Sequence, residues 1–248
     1  ITTPLITLIF FCSFSLLIFS QECIEGNCKN GSGTVMLANG DKFVGKFKNG
    51  QFAFGTFSWA DGRIFKGSME DGMLVEGTIT FPKYKDIVAG GLVYKGQFKD
   101  GMMHGTGTIT KPNSSYTGQM QYDEVHGKGL MINPKYTYDG FFKKGERHGI
   151  GTTSYSKGVM KGMKYVGDYL DDLRNGIGVF TSPDGFKYEG EWKNDMQHGQ
   201  GKQTWPKGAG YYIGEFKLGK RDGVGTVYYA DGSVKKGFYK NDIYQGSR

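Results

Sequence analysis

The chain has 248 residues, 42 of them glycine, and a formal net charge of +7. Glycine far exceeds its usual share of about 7% and aromatics reach 15%; the pairing excludes aromatic-poor disorder, and glycine does not recur every third residue as in collagen. A β-rich protein with many tight turns is expected, and the basic balance favours anionic partners without choosing one.

Residues 1–21 carry no charged side chain, and Leu5 to Phe19 (LITLIFFCSFSLLIF) is a nearly unbroken apolar run. Its length falls between a signal-peptide core and a membrane span, which needs about 17–25 residues. The segment 1–21 is therefore expected to be an apolar helix serving as a cleaved signal peptide or, second, a retained membrane anchor; a buried strand is the third reading. Either main reading sends the chain into the secretory pathway, secreted or membrane-anchored. Cys12 lies in this leader, which leaves Cys23 and Cys28 as a candidate disulfide in an oxidising compartment. Two sequons, at Asn30 and Asn113, add little because the pattern is short.

Residues 22–42 read as an N-terminal capping hairpin. IEGNCKNGSGT, from Ile24 to Thr34, is a shortened copy of the unit that follows, and a bond between Cys23 and Cys28 would pin it.

From Phe43 one unit recurs. Its first half reads FVGKF at Phe43, FKGSM at Phe65, YKGQF at Tyr94, YTGQM at Tyr116, YDGFF at Tyr138, YVGDY at Tyr165, YEGEW at Tyr188 and YIGEF at Tyr212. A looser KKGFY begins at Lys235, and successive full copies start 22, 29, 22, 22, 27, 23 and 24 residues apart. The second half is best seen in HGTGT, HGKGL, HGIGT and HGQGK. Eight copies at one period make this a repeat protein.

One copy reads physically as a β-hairpin. Tyr94, Gly96 and Phe98 share a face by the period-two alternation of a strand, and Gly105, Gly107 and Ile109 form the matching set on the returning strand. The glycine between two aromatics leaves a slot for a ring from a neighbouring strand. Lys99 to Met103 is the expected link, with Gly101 free to take a positive φ. Pro82, Pro112, Pro134, Pro183 and Pro206 each follow a second strand, where proline's missing donor does least harm. The expected fold is all-β, an elongated, twisted antiparallel meander of tandem hairpins, a ribbon on the order of 80 Å long.

The unit Y-x-G-x-W/F-x-x-G-x-x-H-G-x-G resembles the MORN (membrane occupation and recognition nexus) repeat, over about residues 24 to 246. Residues 43–248 would hold about eight repeats and a partial C-terminal copy. The first full copy departs from the pattern with FGTF in place of HGxG, the second with EGTI, and the copy at Tyr165 has an extra residue before Asn175. The resemblance implies a protein-binding scaffold and suggests phospholipid association. Relatives sometimes carry fused kinase or methyltransferase domains, but no residues here remain to build one.

Several sharper readings can be weighed. All four histidines, His104, His126, His148 and His198, occupy one repeat position, where Phe54, Glu76, Asn175 or Asp222 stands in other copies. Equivalent positions are roughly 9–10 Å apart, too far to share a metal whose ligands lie at about 2.1 Å, so a turn-stabilising role is expected. HGTGTIT lacks phosphate-loop spacing and a following helix. No catalytic residue, metal or cofactor is expected, and neither nucleic acid nor a small-molecule substrate.

Two surfaces remain as candidates. Lys48, Lys99, Lys143, Lys193, Lys217 and Lys240 point away from the aromatics beside Asp168, Glu191 and Glu215, an ordinary mixed-charge face. Lys83, Lys85, Lys157, Lys161, Lys164 and Lys207 instead lie in inter-repeat turns and form a candidate basic edge for anionic lipid or acidic protein. The aromatic face, lined by Phe47, Phe98, Phe142, Trp192 and Phe216, is either self-filled or a candidate peptide groove. The leading expectation is a non-enzymatic scaffold binding a protein at or beyond a membrane. The alternatives are a peripheral binder of anionic phospholipid and a regulatory subunit of an enzyme on another chain.

Overall fold

The computed structural model describes residues 22–82 and 91–247. The expected apolar helix at 1–21, and Lys83 and Lys85, lie outside the described residues. Among those described there are twenty strands and two single 3-10 turns, and no helix long and apolar enough to cross a membrane. The described residues fall into two compact units, unit 1 up to Gly127 and unit 2 from Lys128, divided within β10 (Glu124–Ile132).

Unit 1 runs through β1 (Glu22–Gly26), β2 (Gly31–Met36), β3 (Lys42–Lys48), β4 (Gln51–Ser58), β5 (Ile64–Glu70), β6 (Met73–Phe81), β7 (Leu92–Lys99), β8 (Met102–Lys111) and β9 (Ser114–Gln121). Unit 2 continues with β11 (Tyr136–Lys143), β12 (Glu146–Tyr155), β13 (Lys164–Leu170), β14 (Leu173–Thr181), β15 (Lys187–Lys193), β16 (Met196–Thr204), β17 (Gly210–Lys217), β18 (Lys220–Tyr229), β19 (Val234–Lys240) and β20 (Ile243–Gly246). From β1 to β9, and again from β11 to β20, each strand is antiparallel to the next: a meander in each unit.

A line of glycines fixes the register. In unit 2, Gly140 opposes Gly151, then Gly167, Gly178, Gly190, Gly201, Gly214, Gly225 and Gly237 follow in turn across the strands. Unit 1 does the same from Gly26 and Gly33 through Gly45, Gly55, Gly67, Gly77, Gly96 and Gly107 to Gly118. The bare strip this makes is covered by the motif aromatics. A Cβ on Gly201 would lie 2.5 Å from the Tyr188 hydroxyl, and one on Gly190 2.9 Å from the same atom. The ring thus lies along its own strand and reaches the partner strand, so the expected slot is filled from within the hairpin.

The hairpin links are shorter than the expected stretch from Lys99 to Met103. Asp100 and Gly101 alone turn the chain, with φ of 53° and 77°, and Asn194–Asp195 does so with 50° and 67°. Two consecutive positive φ values are the type I′ geometry that matches strand twist, which is why Asn-Gly, Asp-Gly and Asn-Asp stand there. The returning strands also break alternation. Gly96 opposes Gly107 but Gln97 opposes His104, so Gly105 and Thr106 bulge out of register. Gly105, at φ +67°, therefore does not belong to one face with Gly107 and Ile109 as the simple alternation expects. All five flagged prolines fall outside strands.

Candidate functional site

The inward face is built from the motif tyrosines. Each donates its hydroxyl to the backbone carbonyl three residues on: Tyr94 to Gln97 at 2.8 Å, Tyr138 to Phe141 at 2.9 Å and Tyr188 to Glu191 at 2.9 Å. Tyr188 also reaches the His198 carbonyl at 3.2 Å, closing the bulge. Burial pushes the Tyr116 and Tyr212 phenols up to about 12.

The second motif aromatic stands edge-on to the first, with Tyr138–Phe142 centroids 5.0 Å apart, and to the previous repeat's tyrosine or its equivalent. Trp192 meets both Tyr188 and Tyr165, at 5.2 and 5.3 Å; Phe216 meets Tyr212 and Tyr188, at 5.2 and 5.1 Å. Phe47, Phe98, Phe142, Trp192 and Phe216 are all buried. The candidate peptide groove is therefore corrected: the trough is filled by the chain's own rings, and these five side chains offer no open track.

The histidines also differ from expectation. His104, His126, His148 and His198 stand inside strands beside the bulge rather than in turns. His104, His126 and His198 contribute to the motif the backbone carbonyl met by the tyrosine, at 3.3 Å for His126 and Tyr116, whereas the His148 ring lies 3.3 Å from the Asp171 carboxylate. The His104 ring packs edge-on against Tyr122, 4.9 Å away. Among the described residues no group of three His, Cys, Asp or Glu side chains could hold a metal ion.

Two sets of residues escaped the reading of the sequence. Gln97, Asp168 and Glu191, between the motif glycine and its second aromatic, each accept a backbone N–H from the bulge, from Thr106 at 2.9 Å, Ile177 at 2.8 Å and Gln200 at 2.7 Å. Second, the loop aspartate of one hairpin latches the previous repeat. Asp172, Asp195 and Asp242 accept from the backbone N–H and the Nε of Arg147, Arg174 and Arg221, all at 2.9–3.1 Å. Asp123 takes the Met103 N–H at 2.7 Å in unit 1. The guanidinium of Arg174 then lies over Trp192, 4.3 Å from the ring centroid. The signal in the sequence was there: an aspartate ending a two-residue loop, and an arginine directly before His148, Asn175 or Asp222.

The remaining candidates sit at the surface. Lys157 and Lys161 flank the 3-10 turn Gly158–Met160, Lys164 opens β13 and Lys207 lies in the turn Pro206–Gly208; all four are exposed. Both turns join the second strand of one repeat to the first of the next, so in unit 2 they share one edge, opposite the hairpin loops. At the start of unit 1, Cys23 and Cys28 are disulfide-bonded with Cα atoms 6.0 Å apart. A Cβ on Gly33 would meet the Cys28 sulfur at 2.7 Å, so the bridge covers the glycine pair where later repeats use a ring.

A family model of the MORN repeat matches residues 43–62, 94–115, 138–160, 165–187, 188–210 and 212–234, together more than half of the chain. The copies at Phe65 and Tyr116, whose first halves end in methionine, lie outside these spans, yet Phe65 and Tyr116 are buried like the other motif aromatics. No curated protein matches the sequence. Glycine lines, I′ hairpin loops, folded-down tyrosines and the six matched spans lead to one assignment: the chain belongs to the MORN repeat family.

Proposed function

We propose that this chain is a non-enzymatic scaffold whose repeats bind a protein partner at or beyond a membrane. The observation that carries the reading is a division of labour. The residues shared between repeats face inward or bind neighbouring backbone, whereas those that differ, such as Lys66, Lys95, Asp139, Val166 and Ile213 at one motif position, are exposed on the opposite face. Such a sheet holds a backbone rigid and leaves a variable surface for recognition. The secretory placement rests on the apolar run Leu5–Phe19 and on a disulfide, which persists best in an oxidising compartment.

The exposed lysines of one edge favour a second reading, attachment to anionic lipid through Lys157, Lys161, Lys164 and Lys207. Sedimentation of residues 22–248 with anionic and with neutral vesicles separates the two. The scaffold reading expects no salt-sensitive vesicle binding. Binding to anionic vesicles alone, released near physiological salt and lost on changing Lys157, Lys161 and Lys164 to Glu, would transfer the function to the lipid edge. Mass-spectrometric determination of the mature N-terminus tests the secretory placement: a chain beginning after about residue 21 is expected from signal cleavage.

A further inference from the structure

The two sequons, Asn30-Gly31-Ser32 and Asn113-Ser114-Ser115, are alike in sequence and unlike in structure. Asn113 stands with Pro112 in the two-residue turn between β8 and β9, just beyond the last ladder pair, Lys111 and Ser114. Both turn residues are exposed. Ser115, two residues on in an extended strand, points to the same face as Asn113 and away from the buried Tyr116. The amide and the hydroxyl that together make the sequon thus lie on the outward face, at the turn edge of unit 1.

The turn itself makes no use of the Asn113 side chain. Other inter-repeat turns are closed by their own asparagine or aspartate. Asn39 Oδ1 accepts the Asp41 N–H at 3.1 Å and Asn133 Oδ1 the Lys135 N–H at 2.9 Å; Asp184 and Asp231 accept from Phe186 and Ser233 at 3.0 and 2.8 Å. Neither the Asn113 carboxamide nor the Ser115 hydroxyl has a hydrogen-bond partner among the described residues. The paired strands already hold so short a turn, with Lys111 opposite Ser114 and Thr110 opposite Ser115. An exposed carboxamide with no structural duty can carry a bulky, solubilising substituent without disturbing the sheet.

Asn30 is placed differently. Its Oδ1 accepts the Asn49 N–H at 2.8 Å, and the Lys29 carbonyl accepts the Gly50 N–H at 2.8 Å, so the loop after β1 is clamped to the hairpin loop after β3. The Cys23–Cys28 bond pins the same loop two residues earlier. A sugar on the Asn30 amide would press on that clamp.

We propose that Asn113, and not Asn30, is a site of N-linked glycosylation. The donor is an oligosaccharide carried on a polyprenyl pyrophosphate. Its anomeric carbon bonds to the Asn113 Nδ2 as the bond from that carbon to the pyrophosphate oxygen breaks. The pyrophosphate leaves with the electron pair, and the amide gives up one proton to the transferase's base. The site rests on the secretory placement proposed above, because the transfer belongs to that pathway.

Mass spectrometry of the protein isolated from the cells that make it tests the proposal. Peptide N-glycosidase removes an N-linked glycan and converts the asparagine that bore it to aspartate. That conversion is expected at position 113 and not at position 30. In the same cells, Asn113→Gln and, independently, Ser115→Ala should each abolish the gel shift that the enzyme reverses. Ser115→Thr should keep it, because threonine also completes the sequon, and Asn30→Gln should leave it unchanged. The mature N-terminus and the Cys23–Cys28 bond are read from the same sample. A processed chain with that bond intact and Asn113 unmodified overturns the site alone. A chain recovered from the cytosol with free thiols overturns the secretory placement and the site with it. A glycan found on Asn30 also overturns the proposal, since the clamp to Asn49 would then be no obstacle.

Discussion

The Tyr188 hydroxyl donates to the backbone carbonyl of Glu191, 2.9 Å away and three residues further along the same strand. That bond folds the ring down over Gly190 and Gly201, and it is why a glycine pair sits at the centre of the hairpin. The space and the bond are separable. Gly201→Val would drive its side chain into the Tyr188 ring and should cost about 3 kcal/mol, the upper range of overpacking. Tyr188→Phe keeps the ring and loses one hydrogen bond, a cost of about 1 kcal/mol. Urea unfolding of both variants checks the order; equal midpoints would mean that the ring does not need the bare strip.

Asp195 ties two repeats and also closes a I′ turn at φ +67°. Asp195→Ala removes the acceptor for the Arg174 N–H and the residue type that tolerates this φ, and should destabilise by about 2 kcal/mol. Asp195→Asn keeps an oxygen and the turn preference but loses the charge on Arg174 Nε, so about half that loss is expected. The thermal midpoints of the two variants decide the matter. Alanine and asparagine variants of equal stability would show that the latch is not holding the repeats together.

The repeat, its glycines and the direction of each side chain were legible because strand alternation is a local rule. Tyr94, Gly96 and Phe98 needed nothing but their spacing. What stayed hidden depends on residues about twenty positions apart. Arg174 and Asp195 belong to different repeats, and only the pairing of β14 with β15 makes them neighbours. The bulge at Gly105 was missed for a related reason: a tight two-residue loop leaves His-Gly-x-Gly too long for its partner strand, which appears only when both strands are counted against each other. Whether the trough lined by Trp192 is self-filled or open stays undecided at the level of one repeat, because a single repeat cannot show that the tyrosine of the repeat before it, Tyr165, fills it.

His126 illustrates how little a repeated side chain must do. Its carbonyl, not its imidazole, meets the Tyr116 hydroxyl at 3.3 Å. His126→Asn should therefore cost under about 1 kcal/mol, as for a partly exposed side chain with no special backbone role. Denaturant titration gives the value, and a loss as large as that of Gly201→Val would show that the ring itself carries the contact.

Alkali should open the sheet over a defined window. The Tyr116 and Tyr212 phenols, ordinarily at 10.0, are pushed up to about 12, chiefly because burial opposes the phenolate. An unfolded chain releases these protons near pH 10 while the folded one holds them, so their stabilisation is full below pH 10 and is lost as pH rises through about 12. Part of the phenolate absorbance should then appear only together with loss of the strand signal in circular dichroism. Complete tyrosine ionisation near pH 10 with the sheet intact would contradict the buried hydroxyls.

Removal of one period tests whether neighbouring repeats supply nearly all of each other's contacts. Residues 165–187 comprise one matched repeat, with β13, β14 and the turn after them. Their deletion joins Lys164 to Tyr188, so a lysine still precedes the motif tyrosine as Lys187 does in the native chain. Gly151 would then oppose Gly190 in place of Gly167, and Asp195 would come into the position from which Asp172 holds Arg147. Trp192 would stand edge-on to Tyr138 in place of Tyr165, the role that Tyr169 has now at 5.2 Å. These contacts thus have equivalent replacements, the Thr153–Tyr169 hydroxyl pair and the His148–Asp171 pair excepted, and the shortened chain should keep its strand content per residue and a cooperative transition. Its midpoint should fall only by the loss of one repeat and its interface. A shortened chain that fails to fold would mean that contacts beyond adjacent repeats hold the sheet, and the repeat-by-repeat account of its stability would fall with it.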